Sequence, residues 1–230
     1  MLVKTRGVVL RFIKYRETSI IVNIYTEYLG LQGYIINGIR SFRSKRNKIA
    51  LYQPLTLLDL VVYYREERQL QRLSEAKCQH PFYSIPLNPK KSAIALFMVE
   101  ILSKTLKEQA ENKELFNFIW DSILNFDSGE LPTENFHLVF LVQLSKYLGF
   151  NPKSAKEINE ELNNELSTVW LHGDEGQLMD QLLTCGYSNS PILSNSQRAN
   201  LLKILLSFYR WHMEQFGTIK SLKVLNQVFM

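Results

Sequence analysis

The sequence predicts an α+β protein in which a small five-stranded β-barrel precedes an all-α helical bundle. Up to about residue 80, apolar residues alternate over short β-branched and aromatic segments, and beyond residue 90 they recur at helical spacing. Three prolines fall within residues 80–89, where no periodicity is present, as is typical of a linker. The 230 residues, 46% of them hydrophobic, are enough for two small cores. We therefore predict domains over residues 1–80 and 91–230, with a linker at 81–90.

The first part of the chain contains five predicted strands. A turn at residues 15–18 separates the first two strands, and Leu29-Gly30 interrupts the chain before the third. Gly7 marks a bend in the first strand. Five short strands in about eighty residues, one of them with a glycine bend, predict a closed barrel of the OB-fold type. The predicted strands cover residues 3–13, 19–28, 32–37, 55–65 and 70–78.

The second part is predicted to be helical throughout. Asn88-Pro89 is a start signal for the first helix, since asparagine caps a helix and proline is tolerated in its first turn. Thr133 is the predicted cap of the third helix, which Gly149 ends. Residues 159–170 are acidic and weakly patterned, and we interpret them as loop and short helix. Helices are predicted near residues 89–106, 113–126, 133–148, 177–183, 197–216 and 221–229.

Several classes of protein are disfavoured by the sequence. Cys78 and Cys185 lie far apart and form no CxxC pair, so we predict reduced core thiols rather than a disulfide framework or a cysteine-rich zinc site. The apolar segments are too short to span a bilayer, which predicts a cytoplasmic protein. The sequence contains no phosphate-binding loop, nucleophile elbow or HExxH motif, so we predict no enzymatic activity, cofactor or small-molecule substrate. Residues 172–175 are interpreted as a polar turn, and His212 as a hydrogen-bonded packing residue.

Positive charge is concentrated in the first part of the chain. Residues 1–91 contain sixteen Lys/Arg and six Asp/Glu, a net charge of +10, whereas the remainder carries −5. Cations crowded between two predicted strands, without an acid among them, indicate a surface that projects from a hairpin and binds a polyanion such as nucleic acid. We call residues 40–48 the basic segment, and its cations are Arg40, Arg43, Lys45, Arg46 and Lys48.

Other residues of the barrel are further candidates for nucleic-acid contact. Phe42 lies inside the basic segment, where it either stacks on a base or plugs a small apolar site under the loop. Lys4, Arg6 and Arg11 lie in the first predicted strand, and strand alternation also allows them an ordinary solvent face. Three tyrosines are predicted to pack in the barrel instead: Tyr52, Tyr63 and Tyr64.

Short motifs follow one another in a characteristic order along nearly the whole chain. In the barrel part these segments are Lys4-Thr5-Arg6-Gly7-Val8-Val9-Leu10, Tyr15-Arg16-Glu17-Thr18-Ser19, Thr26-Glu27-Tyr28-Leu29-Gly30, Gly38-Ile39-Arg40 and Ala50-Leu51-Tyr52-Gln53-Pro54. In the helical part they are Val99-Glu100-Ile101-Leu102, Leu115-Phe116, Leu148-Gly149-Phe150-Asn151-Pro152 and Ile219-Lys220-Ser221. In their order and spacing these motifs resemble the RecO family of bacterial recombination mediators. The barrel part carries most of the resemblance, and the helical part follows more loosely.

The resemblance implies an OB-fold domain joined to a helical domain, with no enzymatic turnover. It also implies binding of single- and double-stranded DNA, annealing of complementary strands, and cooperation with the partner RecR. Together the two proteins would help RecA to load onto strands coated with single-strand-binding protein (SSB), whose acidic, apolar C-terminal tail docks on the helical domain.

Two departures from the family pattern limit what the resemblance implies. Many relatives carry a four-cysteine zinc site after the segment that matches residues 149–152, and this chain has no cysteine there, so we expect no zinc. Relatives also place an arginine just before the phenylalanine that matches Phe136, where it helps to hold the SSB tail. Asn135 stands at that position, and Lys146 on the same helix is the substitute candidate for tail binding.

Two other functions remain compatible with the sequence. One is a protein–protein adaptor whose basic segment binds an acidic partner rather than DNA. The other is an RNA-binding OB module of the translation machinery. A gel shift with an oligonucleotide at low and high salt separates the adaptor from a nucleic-acid binder, and competition between single-stranded DNA and RNA tests the RNA-binding alternative.

Overall fold

The computed structural model describes residues 1–39, 48–163 and 171–229, with the backbone alone for Lys48. The chain forms two compact units. The first, which we call the barrel unit, combines residues 1–83 with residues 99–124. The second, the helical unit, combines residues 84–98 with residues 125–230.

A closed five-stranded barrel forms the centre of the barrel unit, which confirms the predicted fold class. The strands are β1 (Leu2–Tyr15), β2 (Ser19–Thr26), β3 (Gly30–Ile36), β4 (Leu57–Tyr63) and β5 (Leu70–His80). Around the barrel they follow the order β1, β2, β3, β5, β4. All neighbours are antiparallel except β3 and β5, which pair in parallel over three residues that begin at Gly33 and Leu70.

The barrel interior is apolar because alternate residues of each strand point inward. Val9, Val22 and Leu60 are among the fully buried residues of this core. Gly7 serves close packing rather than the predicted bend: a Cβ atom there would lie 2.6 Å from Ile24 Cγ2. The irregularity in β1 instead lies between Val9 and Arg11, where the register to β2 shifts.

The segment between β3 and β4 is a crossover rather than the predicted hairpin, because these two strands are not neighbours in the barrel. A 3₁₀ helix, Lys48–Tyr52, occupies its C-terminal part. Alternation identifies strands in a sequence but does not say which strands pair, so the topology could not be predicted.

Of the three tyrosines that were predicted to pack in the barrel, two do so. Tyr52 is buried and Tyr64 packs against the core, whereas the prediction for Tyr63 was wrong, because this residue is 55% exposed.

Seven α-helices occupy the described residues beyond residue 88. Asn88 Oδ1 accepts hydrogen bonds from the Lys90 and Lys91 amides, which confirms the predicted start signal of the first helix. Gly149 adopts a φ of 86°, as the predicted end of the third helix requires. The helices are α1 (Pro89–Thr105), α2 (Lys113–Ser128), α3 (Phe136–Tyr147), α4 (Ala155–Asn163), α5 (Glu175–Thr184), α6 (Asn195–His212) and α7 (Leu222–Phe229).

Two predicted helix ends were wrong. Asn135, not Thr133, is the N-cap residue of α3, and its side chain does not cap the helix. The sixth helix begins at a capping box between Ser194 and Gln197 and ends at His212, so Phe216 is buried beyond the helix rather than within it. Phe216 lies at the spacing of the apolar stripe of this helix, so the sequence pattern continues although the helical backbone has ended. This continuation explains the second error.

Some local predictions concern residues that the structure describes only in part. Residues 155–163 form α4, but residues 164–170 of the predicted acidic loop lie outside the described residues.

Both cysteines are free and only half-buried, so they are less buried than the predicted core thiols. Within the described ranges, no helix is both long enough and apolar enough to cross a membrane.

Candidate nucleic-acid interface

The basic segment is attached to the barrel by buried residues on both sides. Arg40, Phe42, Arg43, Lys45 and Arg46 lie outside the described residues, as does the side chain of Lys48. The flanking Ile39 is only 7% exposed and Tyr52 only 5%, and both belong to the barrel core. The chain therefore leaves the barrel core at one end of this segment and re-enters it at the other.

Two of the three candidate cations in β1 are open to solvent. Lys4 is exposed on the outer face of the barrel, opposite Val61 of β4. Arg11 is also exposed, and with the Asn23 amide oriented so that its oxygen faces the guanidinium, that oxygen accepts bonds from Arg11 at 3.0 and 3.2 Å. Both side chains lie where a polyanion could reach them, so their assignment to DNA binding stays a prediction.

Arg6 is held by several partners at once. Its guanidinium donates hydrogen bonds to the Glu27 carboxylate at 3.0 and 2.9 Å and to Asn117 Oδ1 at 2.9 Å. It also lies over the aromatic rings of Phe116 and Trp120, with its central carbon 5.2 and 5.0 Å from the ring centroids. Arg6 thus links β1 to α2 within the barrel unit.

The Arg6–Glu27 pair is electrostatically favourable to both members. The hydrogen bond from Arg6 lowers the pKa of Glu27, and the same bond raises the pKa of Arg6, in each case against a smaller effect of burial. Both groups are therefore charged at neutral pH, and the positive charge of Arg6 is compensated within the protein.

A broad groove on the barrel unit contains equal numbers of basic and acidic side chains. Its volume is about 1370 Å³. The lining cations Lys4, Arg6 and Lys77 are balanced by three carboxylates, so the formal charge of the described lining is zero. A polyanion gains little from such a surface by itself, and the basic segment contributes five of the ten surplus positive charges of residues 1–91. The carboxylates are Glu27, Asp59 and Glu75.

The two candidate residues for tail binding differ in exposure. Lys146 is exposed in the last turn of α3. Asn135 is only 5% exposed, and its amide group donates a hydrogen bond of 2.6 Å to the carbonyl of Pro191. Its Oδ1 atom accepts a bond of 3.0 Å from Nε of Arg198 in α6. Asn135 is thus a buried partner of an arginine, and the tail-binding role of both residues stays a prediction.

Arg198 is a buried charged residue that sequence reasoning missed. It is 8% exposed, and besides Asn135 it donates to Asn195 Oδ1 at 2.8 Å and to the carbonyl of Leu193 at 3.1 Å. Its guanidinium carbon lies 5.6 Å from the centroid of the Phe229 ring. In the sequence it is a single arginine near the start of an amphipathic helix, and nothing in that pattern distinguishes it from a solvent-exposed cation.

The polar residues 172–175 form the turn that leads into α5, as predicted. The Glu175 carboxylate accepts a hydrogen bond from the His172 amide at 2.8 Å and from the Asn200 side chain at 2.7 Å. In the part of the chain that the structure describes, no group of three histidine, cysteine, aspartate or glutamate side chains could hold a metal ion. His212 hydrogen-bonds Glu161 at 2.8 Å and stacks on Phe150, which confirms its predicted packing role.

Comparison with known proteins identifies the family. The family model described as "Recombination protein O N terminal" matches residues 1–82, and the one described as "Recombination protein O C terminal" matches residues 86–223. The chain is 38% identical to the DNA repair protein RecO of Bacteroides fragilis, 35% to that of Phocaeicola vulgatus and 34% to that of Flavobacterium psychrophilum. Each alignment covers 100% of both chains. The chain therefore belongs to the RecO family of DNA repair proteins.

Proposed function

We propose that this protein is a non-enzymatic recombination mediator in bacterial DNA repair. It binds single- and double-stranded DNA without sequence preference, anneals complementary strands, and acts in the cytoplasm with RecR to help RecA load onto SSB-coated strands. The observation that carries the proposal is a closed five-stranded barrel, in a chain of the RecO family, whose cation-rich segment is attached to the barrel core by Ile39 and Tyr52.

DNA binding through this segment follows from its charge. Arginine and lysine contact phosphates, which positions a strand but carries no sequence information, so the binding is non-specific. If all five cations of the basic segment pair with phosphates of a single strand, log K falls with log salt at a slope of about −3.5. Lys4 and Arg11 are exposed and are proposed as further phosphate contacts, whereas we assign the paired Arg6 to holding α2.

Annealing follows from the same contacts. Two complementary strands repel each other, and a protein that lowers the phosphate charge while it leaves the bases free lets the strands meet faster. Phe42 is proposed to stack on a base beside these contacts, which is worth about 1 to 3 kcal/mol per base.

The helical part of the chain is proposed to bind proteins rather than DNA. Residues 92–230 carry a net charge of −5, which disfavours a polyanion such as DNA over the whole of this part. Its proposed partners are the C-terminal tail of SSB, which is acidic and apolar, and RecR.

Charge reversal tests the proposal directly. The variant Arg43→Glu/Lys45→Glu/Arg46→Glu should lose binding of labelled single-stranded DNA in fluorescence anisotropy and should lose annealing of complementary oligonucleotides. A matched control reverses three exposed cations of the helical unit, Lys153, Lys156 and Lys223, and changes the net charge equally. The control should bind and anneal like the unmodified protein, because these cations lie outside the barrel unit.

Any of three results would overturn the proposal. Unchanged annealing by the triple variant would remove the basic segment as the contact. A loss of binding that the control shares would show that total charge matters and not its location. If the unmodified protein binds no oligonucleotide even at low salt, the basic segment serves an acidic protein partner instead.

A further inference from the structure

A loop of the helical unit holds an isoleucine that is almost fully exposed. The loop covers residues 185–194, between α5 and α6, and we call it the 185–194 loop. Ile192 near its end is 97% exposed, whereas the next residue, Leu193, is only 7% exposed. A single exposed apolar side chain is common on protein surfaces. Ile192 differs from such a residue in how its backbone is held and in what surrounds it.

The backbone on both sides of Ile192 is fixed by buried polar groups. The Asn135 amide group donates a hydrogen bond of 2.6 Å to the Pro191 carbonyl. On the other side, Nη2 of Arg198 donates one of 3.1 Å to the Leu193 carbonyl. Asn135 and Arg198 are at most 8% exposed and are bonded to each other. Because this backbone is already ordered in the free protein, little further conformational entropy is lost when the isoleucine meets a partner.

The remainder of the loop is attached to α3. Gln143 of α3 donates a hydrogen bond of 3.1 Å from its amide group to the Cys185 carbonyl. The ring of Tyr187 stacks on that of Phe136 at the start of α3, with the ring centroids 4.3 Å apart. Together with the two contacts beside Ile192, these interactions fix the loop along its length.

The 185–194 loop lies in a stretch of sequence without charge. No Asp, Glu, Lys or Arg occurs in residues 181–197, although 21% of the whole chain is charged. Depletion of charged residues around an apolar centre is typical of the core of a protein–protein interface. Phosphates of DNA are contacted mainly by cations, so a surface of this composition favours a protein as its partner.

A small apolar groove begins beside this loop. It has a volume of about 310 Å³ and lies between α6 and α7, so we call it the α6–α7 groove. Arg198 belongs to its lining and bonds the carbonyl of Leu193, the residue that follows Ile192. The exposed isoleucine and the groove are therefore neighbours on the helical unit. The apolar walls of the groove come from Ala199, Leu202, Leu225 and Phe229.

The polar rim of the groove suits the uncharged loop. Lys203 of α6 is exposed and lines the groove. Arg198 also lines it, and its donors are engaged by Asn135, Asn195 and the Leu193 carbonyl. Serine and asparagine oxygens of a 185–194 loop can accept hydrogen bonds from the Lys203 ammonium without like-charge repulsion. The loop and the groove are therefore complementary in polarity.

From these observations we infer that a second copy of this chain is the partner, and that Ile192 of each copy inserts into the α6–α7 groove of the other. Ile192 does not enter the groove of its own chain, since it is 97% exposed. A projection and a groove side by side on one surface fit a two-fold dimer, because rotation by 180° places each projection opposite the other copy's groove. Two small contacts predict a weak, reversible dimer. The inference goes beyond the proposed function, which concerns DNA and other proteins.

The test measures the mass of the full chain in solution. Nuclease-treated protein is examined by sedimentation velocity at about 1 to 100 μM, where a small interface is expected to associate. The weight-average mass should rise with concentration from that of one chain toward that of two. Ile192→Lys removes the projecting side chain, and Ala199→Phe fills the groove from a half-exposed helix position. Each should raise the dissociation constant of the dimer about tenfold or more.

A mixture of the two variants tests the geometry. Ile192→Lys keeps an intact groove, and Ala199→Phe keeps an intact projecting isoleucine, so neither variant can form a contact with itself. A mixed dimer restores one of the two contacts. The mixture should therefore associate more tightly than either variant alone and more weakly than the unmodified protein.

Leu87→Lys is the matched control. It makes the same kind of change at a leucine of the helical unit that is 84% exposed and lies outside the loop and the groove, and it should associate like the unmodified protein. Circular dichroism and the urea midpoint of each variant establish that the fold is retained. A monomer at every concentration would overturn the inference, as would a loss of association that Leu87→Lys shares. So would a mixture that associates no better than its two components.

Discussion

The barrel unit and the helical unit place their charged residues differently. The barrel encloses an apolar core, and cations such as Lys4 and Arg11 stay at its exposed outer face. The helical unit buries charged or titratable groups: Lys91, Asp127, His137 and Arg198 are at most 8% exposed. Backbone pairing fixes the positions of strands in a closed barrel, whereas helices slide and rotate unless specific contacts hold them. Polar contacts in the helical unit therefore serve its architecture, and exposed cations of the barrel unit such as Lys4 and Arg11 remain available to a partner.

The division of charge is less sharp between these units than between the two parts of the sequence. Residues 99–124 belong to the barrel unit and contain three basic and five acidic residues. The barrel unit as a whole therefore has seventeen basic and eleven acidic residues, a net charge of +6, and the helical unit is left with −1. The helical unit is therefore close to neutral overall, although the second part of the sequence as a whole carries −5.

The largest expected effect concerns Lys91 in the helical unit. Its ammonium donates to Ser84 Oγ at 2.7 Å and to the Phe126 carbonyl at 2.6 Å. Asp127, fully buried nearby, accepts the backbone amides of Ser84 and Ile85. Lys91→Met should lower the free energy of unfolding by about 3 to 5 kcal/mol, because it leaves buried acceptors and a carboxylate without their cation.

Urea denaturation of the full chain measures this cost. Lys4→Met, the same change at an exposed position of the barrel unit, should stay within about 0.5 kcal/mol of the unmodified protein. Similar losses in the two variants would contradict this prediction, since buried and exposed cations would then contribute equally to stability.

The second prediction concerns the pH dependence of the helical unit. His137 has a pKa of about 3 in the folded protein, well below its ordinary value of 6.5, because it is fully buried. The unfolded chain therefore takes up a proton that the folded chain excludes as pH falls below about 6.5. Stability is fully present above this pH and is lost toward acid at up to about 1.4 kcal/mol per pH unit.

Urea midpoints between pH 7 and pH 5 measure this loss. His137→Leu should remove most of the slope, whereas His172→Leu, at an exposed histidine of the same unit, should retain it. Identical slopes in the two variants would show that burial of His137 is not the cause.

Much of the fold could be predicted because alternation and helical periodicity are local properties. The five strands and the starts of α1 and α2 follow from short stretches of sequence and agree with the structure. The crossover between β3 and β4 could not be predicted, because pairing depends on residues far apart in the chain. The exposure of Tyr63 was missed for a related reason: alternation places side chains on two faces but does not identify the inner one.

The candidate sites were harder to predict than the fold. Cations in β1 have the same appearance in the sequence, yet Arg6 is paired with Glu27, twenty-one residues away, while Lys4 is exposed. Arg198 and Asn135 meet across sixty-three residues, so nothing local marks them as partners. The composition of a segment indicates how many cations it contains. Only tertiary contacts determine which of these cations are paired with a carboxylate of the same protein.

The smallest expected effect separates these two kinds of cation within the barrel unit. Arg6→Gln should cost about 1 to 2 kcal/mol of stability, because it removes the bonds to Glu27 and Asn117, and partial exposure of the pair screens the loss. The pair stabilises at neutral pH, and its contribution disappears as the pH falls through the lowered pKa of Glu27. Fluorescence of Trp120, whose ring lies 5.0 Å from the guanidinium, reports the loss of this contact.

Stability and DNA affinity measured on the same variants complete this test. Arg6→Gln should retain DNA affinity, because the charge of Arg6 is already compensated, whereas Lys4→Gln should retain stability and weaken DNA binding slightly. A double-mutant cycle with Glu27→Gln isolates the coupling energy of the Arg6–Glu27 pair. If Arg6→Gln is fully stable but binds DNA more weakly, Arg6 belongs to the DNA surface. In that case the exposure of a cation in the free protein does not distinguish the cations that bind DNA from those that hold the barrel unit together.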